Sequence, residues 1–353
     1  MNTMVIKVDA TEPDMDRIRE AAKYLIQGDL VAFPTETVYG LGANALSEAA
    51  VRKIFAAKGR PGDNPLIVHI AHRDDLLPLV ASVPPLAEPL MAAFWPGPLT
   101  LIFPRSPLVP DVVTAGLDTV AIRMPSHPVA MALIHTAGLP VAAPSANRSG
   151  RPSPTCAAHV IDDMDGQIPL IIDGGETGIG LESTVLDLTG EIPTILRPGG
   201  VTREELLTVL PQVEMDPAVY GTDMTAPRSP GMKYRHYAPK ADMVVVEGDD
   251  RLVPARVLQI ADDAMRSGKR VGILATVENA SFYTGRPVWL IGQRSDAVEI
   301  AHRIYTLLRQ MDLEDIDLII AEGIDASGLG AAVMNRLRKA AGFHVILVGR
   351  SEE

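Results

Sequence analysis

The chain has 353 residues, 47% of them hydrophobic and 22% charged, and its 32 Lys and Arg against 44 Asp and Glu give a formal net charge of −12. That length exceeds the ~100–200 residues of a usual domain, so two domains are expected, and no uninterrupted run of ~18 apolar residues is present to span a bilayer. A surface this acidic repels nucleic acid and anionic lipid as a whole, so any anion site must be a local basic pocket. The single cysteine, Cys156, excludes an intrachain disulfide and a cysteine-rich zinc site. With a start that lacks the pattern of a signal or transit peptide, the expected compartment is the cytoplasm and no membrane partner is expected.

Met15, Ile18, Ala22 and Leu25 recur at helical spacing, and Gly28 supplies a stop. Leu30–Thr35 then reads as a buried strand. A second helix is predicted from an N-cap at Ser47 through Val51, Ile54 and Phe55 to Gly59. Further strands are predicted at Pro65–Ile70, Leu99–Phe103, Thr119–Met124, Leu139–Pro144, Pro169–Asp173, Ser183–Leu188 and Pro193–Gly199. Several are too closely spaced for a crossover helix, so the sheet is expected to mix parallel and antiparallel pairs.

From Pro211 to about Lys240 the periodicity stops, and prolines and glycines accumulate around RSPGMKYRHYAPK. A flexible tether favours Gly and Ser, whereas this one concentrates cations and aromatics, so it reads as a functional linker, expected to fold over the first domain as a lid. Beyond Ala241, MVVVEG, KRVGILAT, PVWLIG, DLIIAEG and FHVILV read as short buried strands, and Val298, Ala301, Ile304, Leu308 and Met311 form a helical stripe. The expected architecture is an α/β domain over 1–210, a linker over 211–241 and a small Rossmann-like doubly wound domain over 242–353.

Four strings carry the chemistry. FPTETVYGLG (Phe33–Gly42) leaves hydroxyls at the carboxyl end of a strand, where open α/β sheets place ligands, although an ordinary strand-turn uses threonines the same way. In AKGRPGDNPLIVHI (Ala57–Ile70), Lys58 and Arg60 flank a glycine at a helix end. They suit convergence on a phosphate, or simple capping of the helix dipole. His69 within a strand reads as a core histidine. PVAAPSANRSGRPSPT (Pro140–Thr155) ends a strand in a polar loop, either a plain turn or a set of neutral donors. GLESTVLDL with ILRPG (Gly180–Gly199) closes on Arg197. Arg123, in an apolar strand, requires a buried anion, either an Asp or Glu of the protein or a substrate carboxylate. No P-loop, nucleophile elbow or HExxH motif occurs. GLGAAVMNR (Gly328–Arg336) lacks the third glycine of a dinucleotide fingerprint and reads as packing or capping.

In this order, FPTETVYGLG, KGRPxxNPLxxH, PSANxSGxPSPT, ESTVxD, LRPG, SPGxxxxHYAP and GLGxAxxNRLxKAA resemble the YrdC-like threonylcarbamoyl-AMP synthases in their long form, over essentially the whole chain. The resemblance implies a YrdC-like twisted mixed sheet with helices. It implies a nucleotidyltransferase that converts L-threonine, bicarbonate and ATP to threonylcarbamoyl-AMP and pyrophosphate. The product feeds the t6A modification of tRNA through a threonylcarbamoyl transferase, and a weak tRNA contact is expected. By position, Lys58, Arg60, Ser145 and Asn147 match the catalytic tetrad around the phosphates. Thr35, His69, Arg123, Ser183 and the backbone at Ala143 match the threonine side. Asn64, Thr119, Ser153, Arg197, His236 and Tyr237 match the ATP side, with Mg2+ arriving on the nucleotide and no metal site made by protein alone. Gly62 stands where the family often has a basic residue, so no side-chain phosphate contact is expected there. Three rivals are an RNA-binding module without this activity, a carbamoyl-adenylate enzyme of metallo-cofactor maturation, whose zinc fingers the single cysteine excludes, and a separate nucleotide site in the C-terminal unit, against which the incomplete glycine pattern weighs.

Overall fold

The structure, a computed structural model, describes residues 2–221 and 236–349. It divides into two units, Met1–Ser149 with Ser153–Tyr234, and Gly150–Pro152 with Arg235–Glu353. The SPGMKYR part of the expected lid falls outside the described residues. Among the described residues no helix is long and apolar enough to cross a membrane.

The first unit is built on an eleven-stranded sheet. In spatial order its strands are Met4–Lys7, Leu170–Asp173, Val31–Phe33, Gly40–Asn44, Val141–Ala142, Ile67–His69, Thr119–Arg123, Leu99–Pro104, Thr184–Asp187, Thr194–Arg197 and Glu214–Met215. Parallel and antiparallel pairs are mixed, as the short connections require. Period-two alternation sends Val31 and Phe33 to one core and Ala32 to the other, so both faces are buried. Helix Met15–Ile26 starts where Asp14 accepts from the backbone N–H of Asp16. It buries Ile18, Ala22 and Leu25 while Met15 stays exposed. Helix Glu48–Lys58 begins at the predicted Ser47 cap and ends on Gly59, whose φ of 60° is left-handed.

Two stretches differ from the reading above. The glycine-flanked end of FPTETVYGLG, which reads as a turn, enters a strand, Gly40–Asn44, antiparallel to Val31–Phe33. Glycine serves there despite its poor strand propensity because a Cβ on Gly42 would stand 2.7 Å from the Phe33 ring and 2.8 Å from Val141 Cγ1. The chain also stays regular past Pro211: Glu214–Met215 pairs with Thr194–Ile195, and a 3-10 helix covers Pro217–Tyr220.

The second unit has five strands, all parallel, in the order Val288–Gly292, Val271–Thr276, Leu318–Glu322, Asp242–Gly248 and Val345–Val348. Helix Val253–Arg266 packs its apolar stripe on one face, and helices Ala297–Met311 and Leu329–Ala340 pack against each other and the sheet, a doubly wound arrangement. Of the predicted stripe, Ala301, Ile304, Leu308 and Met311 are buried. Val298 is 65% exposed, and Ile300 is buried in the same first turn. A Cβ on Gly330 would stand 2.0 Å from the Asp325 carbonyl, so that glycine serves a close backbone approach, while Gly328 adopts a positive φ of 53°.

Candidate active site

Strand register assembles the site. His69 lies opposite Arg123, Arg123 opposite Thr100, Thr100 opposite Val185, and Val185 opposite Arg197. Directly opposed residues share a face, so His69, Arg123, Thr100 and Val185 form one row across four adjacent strands, and a register shift between Ile195 and Arg197 brings Arg197 opposite Val185 at its end. Thr100 has no motif around it and lies in the apolar string LTLIF; its place in the row comes from pairing alone.

Arg123 is buried, and each of its nitrogens faces oxygen. Nε donates to the Gly97 carbonyl at 3.2 Å and Nη1 to Thr37 Oγ1 at 2.9 Å. Nη2 stands 2.7 Å from Glu36 Oε1. That last pair is close but falls short of full hydrogen-bond geometry, and the Ser126 backbone also lies beside the Glu36 carboxylate. Arg123 thus has a protein carboxylate as its anion. Thr35 donates to the Val38 carbonyl at 2.6 Å and its oxygen lies 2.8 Å from Thr37 Oγ1, so its hydroxyl shapes the turn at the strand end.

His69 is fully buried. Burial first, then the Arg123 charge, hold its imidazole down at about 3 from the ordinary 6.5, so it is neutral at physiological pH. The unfolded chain takes up a proton near pH 6.5 that the folded chain refuses until about pH 3. Stability from this group is therefore full above pH 6.5 and is lost as pH falls through that window, by up to about 1.4 kcal/mol per pH unit. Thermal melts from pH 7 to pH 4.5 should show a smaller acid-side loss in His69→Gln than in the parent; parallel curves would contradict this.

Ser183 lies fully buried between two row members. Its Oγ is 2.8 Å from Thr100 Oγ1 and accepts from Arg197 Nη2 at 3.0 Å, while Arg197 Nε donates to the Ser183 carbonyl at 3.1 Å. Arg197, expected on the ATP side, thus touches a residue expected on the threonine side. Ser153, also expected near ATP, is buried and donates its hydroxyl to Glu182 Oε1 at 2.5 Å.

A second cluster lies at the other end of the same strands. Lys58, 4% exposed, donates its ammonium to the carbonyls of Ser145 and Asn147. The Ser145 hydroxyl reaches Asn147 Oδ1 at 2.5 Å, and Ser149 N donates to the Lys58 carbonyl at 2.9 Å. Arg60 Nη2 donates to the carbonyls of Asn64 and Pro65 at 3.0 and 3.1 Å. Ile67 lies opposite Ala121 and donates no side-chain polarity, while its carbonyl accepts from Ala143 N at 2.9 Å. Continuing that register by two residues aligns Pro65 with Thr119 and Ser145. Lys58, Arg60, Asn64, Thr119 and Ser145 therefore share one strand end, about 13 Å along the strands from the row of His69 and Arg123.

His236 and Tyr237 belong to the second unit. The Tyr237 ring stacks on Tyr305 with centroids 5.4 Å apart, and the Arg336 guanidinium lies 5.2 Å from its centroid. The second unit also buries Glu322, which accepts from Thr276 N and Oγ1, Asn279 Nδ2 and Tyr283 OH. A carboxylate so fully supplied with donors is structural. Among the described residues no three His, Cys, Asp or Glu come together to hold a metal.

Comparison with known proteins follows this geometry. The family model described as "Telomere recombination" matches residues 23–199, and the one described as "Threonylcarbamoyl-AMP synthase, C-terminal domain" matches residues 201–342. A threonylcarbamoyl-AMP synthase of Pyrococcus abyssi is 52% identical over 332 residues, 94% of this chain and 96% of the relative. The chain belongs to the threonylcarbamoyl-AMP synthase family. A Bacillus subtilis family member is 51% identical over 331 residues, 94% of each chain. The crystal structure of P. abyssi Sua5 complexed with L-threonine superposes with a TM-score of 0.93 at 50% identity, covering 98% of this chain and 100% of that one. The family's mixed sheet and second, parallel sheet are those described above.

Proposed function

We propose that the chain is an L-threonylcarbamoyladenylate synthase, converting L-threonine, bicarbonate and ATP to threonylcarbamoyl-AMP, pyrophosphate and water. Family membership supports the reaction; the observation that supports its location is the separation of two polar clusters along one set of strands. An amino acid joined through a carbamate to a nucleotide is an elongated molecule with a carboxylate at one end and phosphates further along. Arg123 and Ser183 suit the first, and the Lys58, Arg60, Ser145 and Asn147 group suits the second.

The chemistry asks for positioning and charge stabilisation. The threonine amine attacks a CO2-derived carbon, the carbamate oxygen attacks the α-phosphorus, and pyrophosphate leaves with its charge compensated by cations. Mg2+ is assigned to the triphosphate oxygens as part of the substrate. Carbamates and adenylates hydrolyse readily, so the reaction requires water to be excluded from the site. We place the product's use in the t6A modification of tRNA by a threonylcarbamoyl transferase, and the reaction in the cytoplasm.

The test is pyrophosphate release by the full chain. Release is expected only when L-threonine, bicarbonate and MgATP are all present, with an adenylate product that is labile in water. Release independent of threonine, or tight RNA binding of steep salt dependence with no release, overturns the reading.

A further inference from the structure

Glu36 sits between the two threonines of the turn and has no assigned task. Its side chain is 13% exposed and 2.7 Å from Arg123 Nη2, with the Ser126 backbone also beside the carboxylate, yet neither of its oxygens nor that nitrogen reaches full hydrogen-bond geometry among the described residues. Two more buried polar atoms nearby are unsatisfied. One is Nδ1 of His69, which lies laterally opposite Arg123. The other is Oγ1 of Thr177, in the segment whose Ile179 N donates to the Glu36 carbonyl at 2.8 Å. Buried polar atoms are nearly always paired in a finished structure, so a group of unsatisfied ones around a single ion pair marks where a polar ligand completes the bonding.

The charges say which ligand. Burial is the largest single influence on Glu36 and opposes its ionisation, but the Arg123 charge and hydrogen bond together with the backbone of Glu36 and Ser126 outweigh it and hold the carboxyl below its ordinary value. His69 is neutral, and burial lowers the neighbouring His127 as well, against the pull of Glu36. The cluster thus presents one positive and one negative group side by side and is neutral overall. A plain carboxylate would satisfy Arg123 and leave Glu36 buried without a cation. A zwitterion satisfies both.

We propose that Glu36 accepts the α-ammonium group of the amino-acid substrate while Arg123 takes its carboxylate, the Glu36–Arg123 ion pair being the contact that the substrate divides. This rests on the amino-acid half of the reading above and adds a selectivity element to it: the site discriminates for the α-amino group as such. The anchoring is non-covalent, and no group is transferred to Glu36.

Isothermal titration of the full chain tests it, with L-threonine against the 2,3-dihydroxybutanoate of the same configuration, in which a hydroxyl replaces the ammonium. The parent should prefer threonine by at least ~30-fold, as a charged hydrogen-bonded pair allows. Glu36→Gln should weaken threonine at least ~10-fold and bring the two ligands within ~3-fold of each other, with ATP affinity unchanged. A purely structural Glu36 would weaken both ligands in parallel, and an unchanged ratio overturns the proposal. Where Glu36→Gln does not fold, parity of the two ligands on the parent overturns it, and retained preference in Glu36→Asp supports it. A parent that binds neither ligand would instead overturn the assignment of threonine as substrate.

Discussion

In the Lys58→Ala variant, kcat/KM for ATP should fall at least ~100-fold while threonine affinity holds within ~3-fold. Lys58 ends its helix at Gly59 and is 4% exposed, and its ammonium ties the carbonyls of Ser145 and Asn147 to that helix end. Removing it takes away a charge from the strand end assigned to the phosphates. It also strands two carbonyls and frees the loop that aims the Ser145 hydroxyl and the Asn147 amide. Threonine contacts, about 13 Å along the strands, should be spared. Pyrophosphate release at varied ATP, together with threonine titration, reads both effects. An unaltered rate would remove the phosphate assignment of this cluster, and equal loss of both affinities would point to general unfolding.

Gly199→Ala should be the most damaging change of a single carbon. A Cβ there would stand 2.3 Å from the Glu182 carbonyl oxygen, 2.4 Å from the Ser183 carbonyl carbon and 2.4 Å from Thr184 N. All three are backbone atoms, so no side-chain rotation relieves the overlap. Either the strand that starts at Thr184 or the loop after Arg197 must move. We expect a loss of about 2–3 kcal/mol in stability. We also expect threonine-dependent turnover to drop more than ~10-fold, because Ser183 is held by Arg197 two residues before this glycine. Chemical denaturation and turnover check the two. A variant of parental stability would mean that the backbone yields there at no cost.

Much of the site was legible because its residues lie at ends of elements with clear boundaries. The helix before Lys58 has its cap, its apolar spacing and its glycine stop in the sequence, and the structure follows them. Strings such as PSAN and LRPG stand at strand termini, where pattern is strongest. What was not legible depends on partners far away in the chain. Glu36 lies within a quoted motif, but its meaning comes from Arg123, 87 positions later, and that approach depends on sheet order. Thr100 reads as one polar residue in a hydrophobic strand until antiparallel and parallel pairing set it beside Arg123 and Val185. Gly40–Asn44 failed for the opposite reason: its glycines look like a turn locally, and only the Phe33 ring and Val141 show why a strand needs them. Val298 had the right spacing for a stripe, yet in that first turn burial falls on Ile300, which spacing alone does not decide.

The lateral row from His69 to Arg197 makes catalytic competence a late event in the life of the chain. Its members come from strands that run from Ile67 to Arg197, and the His69–Arg123 and Thr100–Val185 pairings join residues remote in sequence. A slip of one residue in any of those pairings would turn a member to the opposite side of the sheet. A partly assembled molecule therefore owns the motifs without owning the enzyme. Turnover recovered during refolding should report the last strand to dock, not the first collapse.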